Sequence, residues 1–174
     1  QTHYENEIVS VLDCIEEAKT LISLDKKSKD IHFQMDCDPQ AKIMGDFQRL
    51  LQVMVNLINN ARDASQTDSK IILQTTIEGD RVRIAITDEG ISIPPAIRDR
   101  IFDPFFTTKE AGEGTGLGLS LVFSIVEDLN GDIDIISPID KPKGTGTQVI
   151  LRFPCYHEGD SQSISSREQE AEAQ

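Results

Sequence analysis

The chain has 174 residues, 38% of them hydrophobic and 27% charged, which predicts one globular domain with a core of its own. A formal net charge of −13 excludes the basic surface that nucleic-acid binding needs, and it requires any nucleotide site to bring Mg²⁺, basic side chains or backbone N–H groups. Three widely spaced cysteines, Cys14, Cys37 and Cys155, favour reduced thiols in a cytoplasmic protein over a disulfide framework or a zinc site.

The first third of the chain predicts a helix, a strand and a second helix. Apolar residues recur at helical spacing over residues 8–24, which predicts an amphipathic helix. A short strand is predicted over residues 31–35. A long apolar helix follows over residues 46–64, with Asp46 as its N-cap.

The middle of the chain predicts a β-hairpin. Residues 70–77 and 81–87 are rich in β-branched side chains, and the Glu-Gly-Asp segment 78–80 between them favours a turn. In the second run apolar and polar residues alternate, which is typical of a strand covered on one face. The prolines at 94–95 then interrupt the regular structure.

The last third predicts a buried helix over residues 119–129 and a second hairpin from strands 133–137 and 147–153. Residues 157–174 contain almost no apolar side chains, so we expect a disordered acidic tail after a domain that spans residues 1–156. Together these elements predict an α+β fold, a two-layer α/β sandwich in which helices cover one face of a mixed sheet.

A polar stripe follows one side of the long helix. Gln52, Asn56, Asn60 and Asp63 recur every three or four residues, so they share a face. Asparagine is a poor helix former, and its amide carbonyl is a hard oxygen ligand suited to Mg²⁺ already held by phosphates. The alternative is that the stripe is only the solvated face of the helix.

Two further motifs follow. Asp88 ends a predicted strand, where its carboxylate could accept a hydrogen bond from an exocyclic amine, and Gly90 would let the backbone approach a flat ring; a plain turn is the alternative. Gly114, Gly116 and Gly118 precede a helix, an arrangement that favours phosphate binding, and a flexible loop is the alternative. The glycine run fits neither a P-loop nor a dinucleotide-binding fingerprint.

In order and spacing these motifs resemble the ATP-binding domain shared by gyrase, heat-shock chaperones, mismatch-repair ATPases and histidine kinases. Residues 56–61 match the N-L-x-x-N-A box, and residues 88–90 and 114–119 match the two glycine boxes. Residues 101–109 resemble the phenylalanine box of the histidine kinases, and residues 144–147 resemble the closing strand motif. The resemblance implies a Bergerat-type ATP-binding fold with a left-handed βαβ sandwich, from about residue 8 to about residue 154.

The resemblance also implies roles for individual residues. Asn56 would ligate Mg²⁺ and Asn60 would hold phosphate or ribose, while Asp88 would bind the adenine amine with Thr147 nearby. Lys109 would balance the charge of the γ-phosphate. The further positions implied to contact the nucleotide are Asp63, Gly90, Ser92, Ile93, Phe102, Gly114, Thr115, Gly116, Leu117, Gly118 and Leu119. Residues 100–116 would form a mobile lid.

Two positions depart from the family pattern. The first glycine box usually reads D-x-G-x-G, but Ser92 stands where the second glycine is expected, so we expect adenine binding with a changed loop geometry. The hydrolysing relatives carry a glutamate four residues before the first asparagine, as the general base for water. Here that position is Gln52, whose amide cannot take up a proton, which favours transfer over hydrolysis.

No histidine of the chain matches the acceptor motif of the family, a histidine followed by an acidic residue and then a proline: His3 is followed by Tyr-Glu-Asn, His32 lies in a predicted strand and His157 begins the tail. The resemblance therefore implies an ATP-dependent protein-histidine kinase domain whose acceptor and dimerisation helices, with any membrane segment, precede Gln1, and whose phosphate passes to a response regulator. We expect a homodimeric parent protein and a monomeric fragment. An anti-sigma-type serine kinase and a nucleotide-binding pseudokinase module are the alternatives.

Overall fold

The computed structural model describes residues 6–25, 29–104, 106 and 118–160. In this part of the chain the strands are β1 (Glu7–Ser10), β2 (His32–Cys37), β3 (Lys42–Gly45), β4 (Lys70–Glu78), β5 (Arg81–Ile91), β6 (Asp132–Ile136) and β7 (Thr145–Pro154). The helices are α1 (Val11–Ser23), α2 (Phe47–Ala64) and α3 (Gly118–Asp128), with a short 3₁₀ helix at Pro95–Arg100.

Five strands form one mixed sheet in the order β2-β4-β5-β7-β6. β2 is parallel to β4 and the other pairs are antiparallel, while β1 and β3 form a separate antiparallel pair. The helices form one layer against the sheet, in which α2 contacts α1, α3 and β5, and α3 contacts β6. The predicted two-layer α/β sandwich with a mixed sheet is therefore confirmed.

Helix α2 is the centre of the core. The Asp46 carboxylate caps its first turn by accepting a hydrogen bond from the Arg49 N–H at 3.1 Å. The apolar face of the helix then packs against the sheet through side chains that are at most 8% exposed: Leu50, Leu51, Val53, Met54, Leu57, Ile58 and Ala61. Both the predicted helix over 46–64 and its N-cap are confirmed.

The predicted start of the first helix was wrong. Residues 7–10 form strand β1, which pairs with β3, and the helix begins only at Val11. Ser10 has an extended backbone, and its hydroxyl accepts the Asp13 N–H at 3.4 Å as the N-cap. The helical spacing of apolar residues continues through Ile8, so the boundary depends on pairing with β3, a strand that the sequence analysis did not predict.

Both predicted hairpins are present. β4 and β5 pair antiparallel, with Val82, Ile84 and Ile86 buried against the helices. β5 continues four residues beyond the predicted end at residue 87, which carries Asp88 into the sheet. β6 and β7 form the second hairpin, and α3 matches the predicted helix within a residue at each end.

The three cysteines are free, and burial raises the pKa of Cys14 to about 12, which disfavours the reactive thiolate at neutral pH. None of the helices in the described ranges is long and apolar enough to cross a membrane. Residues 157–160 are exposed, whereas residues 161–174 lie outside the described part of the chain, so the acidic tail stays a prediction.

Candidate nucleotide site

The end of β5 places a carboxylate in the interior. Asp88 pairs across the sheet with Thr147 of β7, and the two residues are only 5% and 7% exposed. The Oδ1 atom of Asp88 accepts a hydrogen bond from the Gly90 N–H at 2.9 Å. The pairing of β5 with β7 becomes irregular between Asp88 and Ile91. Asp88 thus lies where the regular hydrogen bonding of these two strands ends.

Burial dominates the electrostatics of this carboxyl group. It raises the pKa of Asp88 from 3.8 to about 6, and backbone hydrogen bonds from Gly90 and Thr147 offset part of the rise. The carboxylate is therefore mostly ionised at pH 7, yet it lacks the solvation of an exposed aspartate. An amine hydrogen from a ligand would supply a charge-assisted hydrogen bond in place of the lost water.

Two glycines bring backbone close to Asp88. A Cβ atom at Gly90 would lie 2.1 Å from the Ala64 carbonyl oxygen and 2.9 Å from the Ser65 nitrogen, so only glycine fits between β5 and the end of α2. Gly146 has a φ of +87°, and a Cβ there would lie 3.1 Å from the Asp88 carbonyl oxygen. The end of α2 and the start of β7 therefore both pack closely against the Asp88–Gly90 segment.

The polar stripe of α2 differs in its exposure along the helix. Asn56 and Asn60 are half-buried, whereas Gln52 and Asp63 are exposed. Within the described ranges, neither the Asn56 nor the Asn60 side chain has a hydrogen-bond partner. On this helix, which contacts β5, the amide oxygens could ligate a Mg²⁺ ion and the amide N–H groups could donate to a phosphate.

Asp63 contributes its backbone at the end of the same helix. The Lys29 ammonium group donates hydrogen bonds to the carbonyl oxygens of Asp63 at 3.2 Å and Ser65 at 2.9 Å. A cation at this position satisfies carbonyl groups that a helix end leaves unpaired and favours the negative end of the helix dipole. The contact holds the end of α2 where Gly90 packs against it.

Ser137 is a residue of the site that the sequence analysis placed at the end of a strand without a role. It is 7% exposed, and its Oγ lies 2.9 Å from the Thr147 Oγ1. The Ile93 N–H donates to the same Oγ at 2.8 Å, so Ser137 joins the loop after β5 to β7. Ser137 precedes the Gly-Thr-Gly-Thr motif of residues 144–147 by seven residues, and that motif is the nearest sequence signal that could have pointed to it.

The other predicted site residues fall into two groups. Ser92 and Ile93 are half-buried in the loop after β5, Phe102 packs its ring 5.5 Å from that of Phe123, and Gly118 and Leu119 open α3. Outside the described residues lie Lys109, Gly114, Thr115, Gly116 and Leu117, together with most of the predicted lid. A further asparagine, Asn59, carries a buried Oδ1 that no donor in the described ranges reaches, and no role was predicted for it.

The described residues fit the two ends of a nucleotide differently. The buried Asp88 carboxylate and the close approach of the backbone at Gly90 suit a flat base that carries an amine. The unpaired Asn56 and Asn60 amides suit the charged end with its metal ion. Both sets lie on elements that contact each other, since α2 packs against β5.

Residues 45–157 match the family described as "Histidine kinase-, DNA gyrase B-, and HSP90-like ATPase". The sensor histidine kinase ZraS of Escherichia coli (strain K12) is 36% identical over 154 residues, which are 88% of this chain and 32% of ZraS. The chain spans 19% to 32% of the length of the first three curated relatives that it matches.

Solved structures agree with these sequence matches. The catalytic domain of the histidine kinase ThkA, in a nucleotide-free form, superposes with a TM-score of 0.75 and 30% identity over 86% of this chain and 95% of that one. Full-length ShkA in complex with AMPPNP superposes with a TM-score of 0.71 and 25% identity over 89% of this chain and 32% of that one. The chain therefore belongs to the family of histidine kinase-, DNA gyrase B- and HSP90-like ATPases, as an ATP-binding domain of the sensor histidine kinase type.

Proposed function

We propose that this chain transfers the γ-phosphate of Mg·ATP to a histidine on an upstream dimerisation domain, from which a response regulator receives it on an aspartate. The observation that carries the proposal is the buried Asp88 carboxylate beside the helix that presents Asn56 and Asn60. It is joined by similarity to a sensor histidine kinase over 88% of the chain.

Asp88 selects the base. Its ionised carboxylate accepts a hydrogen bond from the exocyclic amine of adenine, and the backbone N–H of Gly90 holds it in place. Guanine and hypoxanthine carry a carbonyl oxygen at the corresponding position, which the carboxylate repels. ATP and ADP share the base, so Asp88 contributes equally to the binding of both.

Asn56 and Asn60 act on the charged end. The Asn56 carbonyl oxygen would serve as a metal ligand, and the Asn60 amide as a donor to phosphate or an acceptor from ribose. Mg²⁺, when bound, would neutralise charge on the phosphates during transfer. By the sequence motifs alone, Lys109 and the glycines at 114, 116 and 118 complete this end of the site.

Gln52 favours transfer over hydrolysis. Its side chain is exposed on the stripe of α2, one turn before Asn56, and an amide cannot take a proton from water. Without a general base at this position, bound ATP is hydrolysed slowly and remains available for transfer to the acceptor histidine. A Gln52→Glu variant is therefore expected to raise ATP hydrolysis.

The acceptor histidine belongs to the partner domain. The His32 side chain is 71% exposed, with its Nε2 3.8 Å from the Asp68 carboxylate, and His157 is exposed as well. His32 is followed by Phe33, and His157 is followed by Glu158 but by no proline, so neither matches the acceptor motif. In the proposal the parent protein is a homodimer, the isolated chain is a monomer, and the reaction takes place in the cytoplasm.

The test uses ATP radiolabelled at the γ-phosphate, first with the 174-residue chain alone and then with the dimerisation domain of the parent protein added. Alone, the chain should bind ATP, hydrolyse it very slowly and remain unlabelled. With the second domain, label should appear on a histidine of that domain, and the phosphoramidate should be labile in acid and stable in base.

Two outcomes would replace the proposal. Label that is stable in acid and labile in base, on the serine of a partner, would indicate an anti-sigma-type kinase. Tight nucleotide binding without transfer to any added domain would indicate a pseudokinase module. The Asp88→Asn variant serves as the matched control, because it should lose both binding and transfer.

A further inference from the structure

Ser137 lies at a junction of three chain segments. Its Oγ accepts the Ile93 N–H at 2.8 Å, lies 2.9 Å from the Thr147 Oγ1 and lies 3.3 Å from the Gly146 carbonyl oxygen. Each of these partners belongs to the loop after β5 or to the start of β7, the two segments that flank Asp88. Among the residues that the structure describes, the hydrogen bonds of the Ser137 hydroxyl reach Ile93, Gly146 and Thr147 but not Asp88.

The hydroxyl of Thr147 has two possible partners. Thr147 is the direct cross-strand partner of Asp88, which puts the two Cβ atoms about 5 Å apart on the same face of the sheet, so another χ1 rotamer of Thr147 would turn its hydroxyl toward the carboxylate. A hydroxyl that closed onto the carboxylate would occupy an acceptor site that a ligand amine needs. In the structure the Thr147 hydroxyl is bonded to Ser137 instead.

A serine hydroxyl carries one proton and two acceptor sites. One acceptor site of Ser137 takes the Ile93 N–H, and the remaining proton and acceptor site serve Thr147 and Gly146. All three bonds are satisfied in a residue that is 7% exposed, so water does not compete strongly for them. The orientation of the Thr147 hydroxyl is therefore set before any nucleotide arrives.

We propose that Ser137 is a positioning residue for base selection, which holds the Thr147 hydroxyl away from Asp88 and so keeps the carboxylate free for the amine of adenine. The inference rests on the proposed function of Asp88. It adds a residue without direct contact to the base as a determinant of specificity.

The test measures the affinities of the whole chain for ADP and for inosine diphosphate, which has a carbonyl oxygen in place of the adenine amine. The Ser137→Ala variant should bind ADP about tenfold more weakly, with a smaller change for inosine diphosphate, so that the preference for ADP falls. A ratio of two affinities is independent of the folded fraction, so partial unfolding of the variant does not alter it. Thr75→Val, which removes a buried hydroxyl from β4, is the matched control and should leave the ratio unchanged.

A double-mutant cycle tests whether Ser137 acts through the Thr147 hydroxyl. In a Thr147→Val background, which lacks the hydroxyl, Ser137→Ala should change the ADP preference by less than about threefold, because the competing donor is already gone. An equal loss of preference in both backgrounds would overturn the inference and leave Ser137 as a structural residue. An unchanged preference in Ser137→Ala itself would overturn it as well.

Asp88→Asn separates this inference from the proposed function. If Asp88→Asn abolishes the ADP preference while Ser137→Ala keeps it, only the role of Ser137 is wrong. If Asp88→Asn keeps the preference, the base contact assigned to Asp88 fails, and the inference about Ser137 fails with it.

Discussion

The base end of the candidate site and the polar stripe of α2 differ in burial and in hydrogen bonding. At the base end, Asp88, Thr147 and Ser137 are buried and bonded to one another or to nearby backbone. On the stripe of α2, Asn56 and Asn60 are half-buried, and their side chains have no hydrogen-bond partner within the described ranges. The first region is organised without a ligand, whereas the second presents polar atoms that a ligand must satisfy.

This difference matches the chemistry that each end is asked to perform. Discrimination between bases requires fixed donors and acceptors, because a mobile side chain could adapt to the wrong base. The distribution of charge over the phosphate oxygens changes during transfer, and unpaired amide groups on a helix can reorient with it. Variants at the two ends should therefore fail in different ways.

The largest expected effect is at Asp88. In Asp88→Asn the carbamoyl oxygen can accept the Gly90 N–H, which leaves the amide NH₂ group facing the amine of adenine, so two donors meet. Affinity for ADP should fall about a hundredfold or more, and affinity for ATP should fall equally. Calorimetric titration of both nucleotides measures this, and a selective loss of ATP alone would contradict a role at the base.

The same variant should make the nucleotide-free domain more stable, by on the order of 1 to 3 kcal/mol at pH 7.5. Burial raises the pKa of Asp88 to about 6 from a usual 3.8, so the folded state prefers the protonated carboxyl. The protonated Asp88 carboxyl therefore contributes its full stability below pH 3.8, and this contribution is lost as the pH rises through about 6. Urea unfolding across this range should show the advantage of Asp88→Asn at pH 7.5 shrinking to nothing near pH 4, whereas a constant difference would contradict it.

The next effect in size is at Gly90, which joins the two regions. Gly90→Ala would place a methyl group 2.1 Å from the Ala64 carbonyl oxygen, so the end of α2 and the end of β5 must separate. We expect a loss of about 2 kcal/mol or more in the free energy of unfolding, together with weaker binding of both nucleotides. Gly118→Ala, with no described atom within 4 Å of the added methyl group, is the control and should keep its stability.

The smallest effect is expected at Asn56, and it should depend on the metal. Asn56→Ala should weaken Mg·ATP binding about tenfold while metal-free ATP binding changes little, because only a metal ligand is removed. Stability should be retained, since the side chain is half-buried without a partner and alanine is the better helix former. Titration with and without Mg²⁺ measures this, with a substitution of the exposed Gln48 in the first turn of α2, Gln48→Ala, as the control. An equal loss of ATP affinity with and without Mg²⁺ would contradict a role as metal ligand and would make Asn56 a structural residue.

Local patterns in the sequence were sufficient for the elements that carry most of the site. The apolar period and Asp46 defined α2, and the β-branched runs around a Glu-Gly-Asp turn defined the hairpin of β4 and β5. The asparagine stripe and the Asp-x-Gly motif also lie within single segments. These features were predictable because each is determined by residues within one or two turns or strands.

Only the tertiary structure determined the features that depend on distant segments. Residues 7–10 keep a helical apolar period, yet they form a strand because β3, more than thirty residues later, pairs with them. The burial of Asp88, the shift in its pKa and the junction at Ser137 arise where β5, β7 and their loops meet. A sequence period records which face of an element is apolar, but pairing between segments and the solvation of a carboxylate depend on what the rest of the chain places beside it.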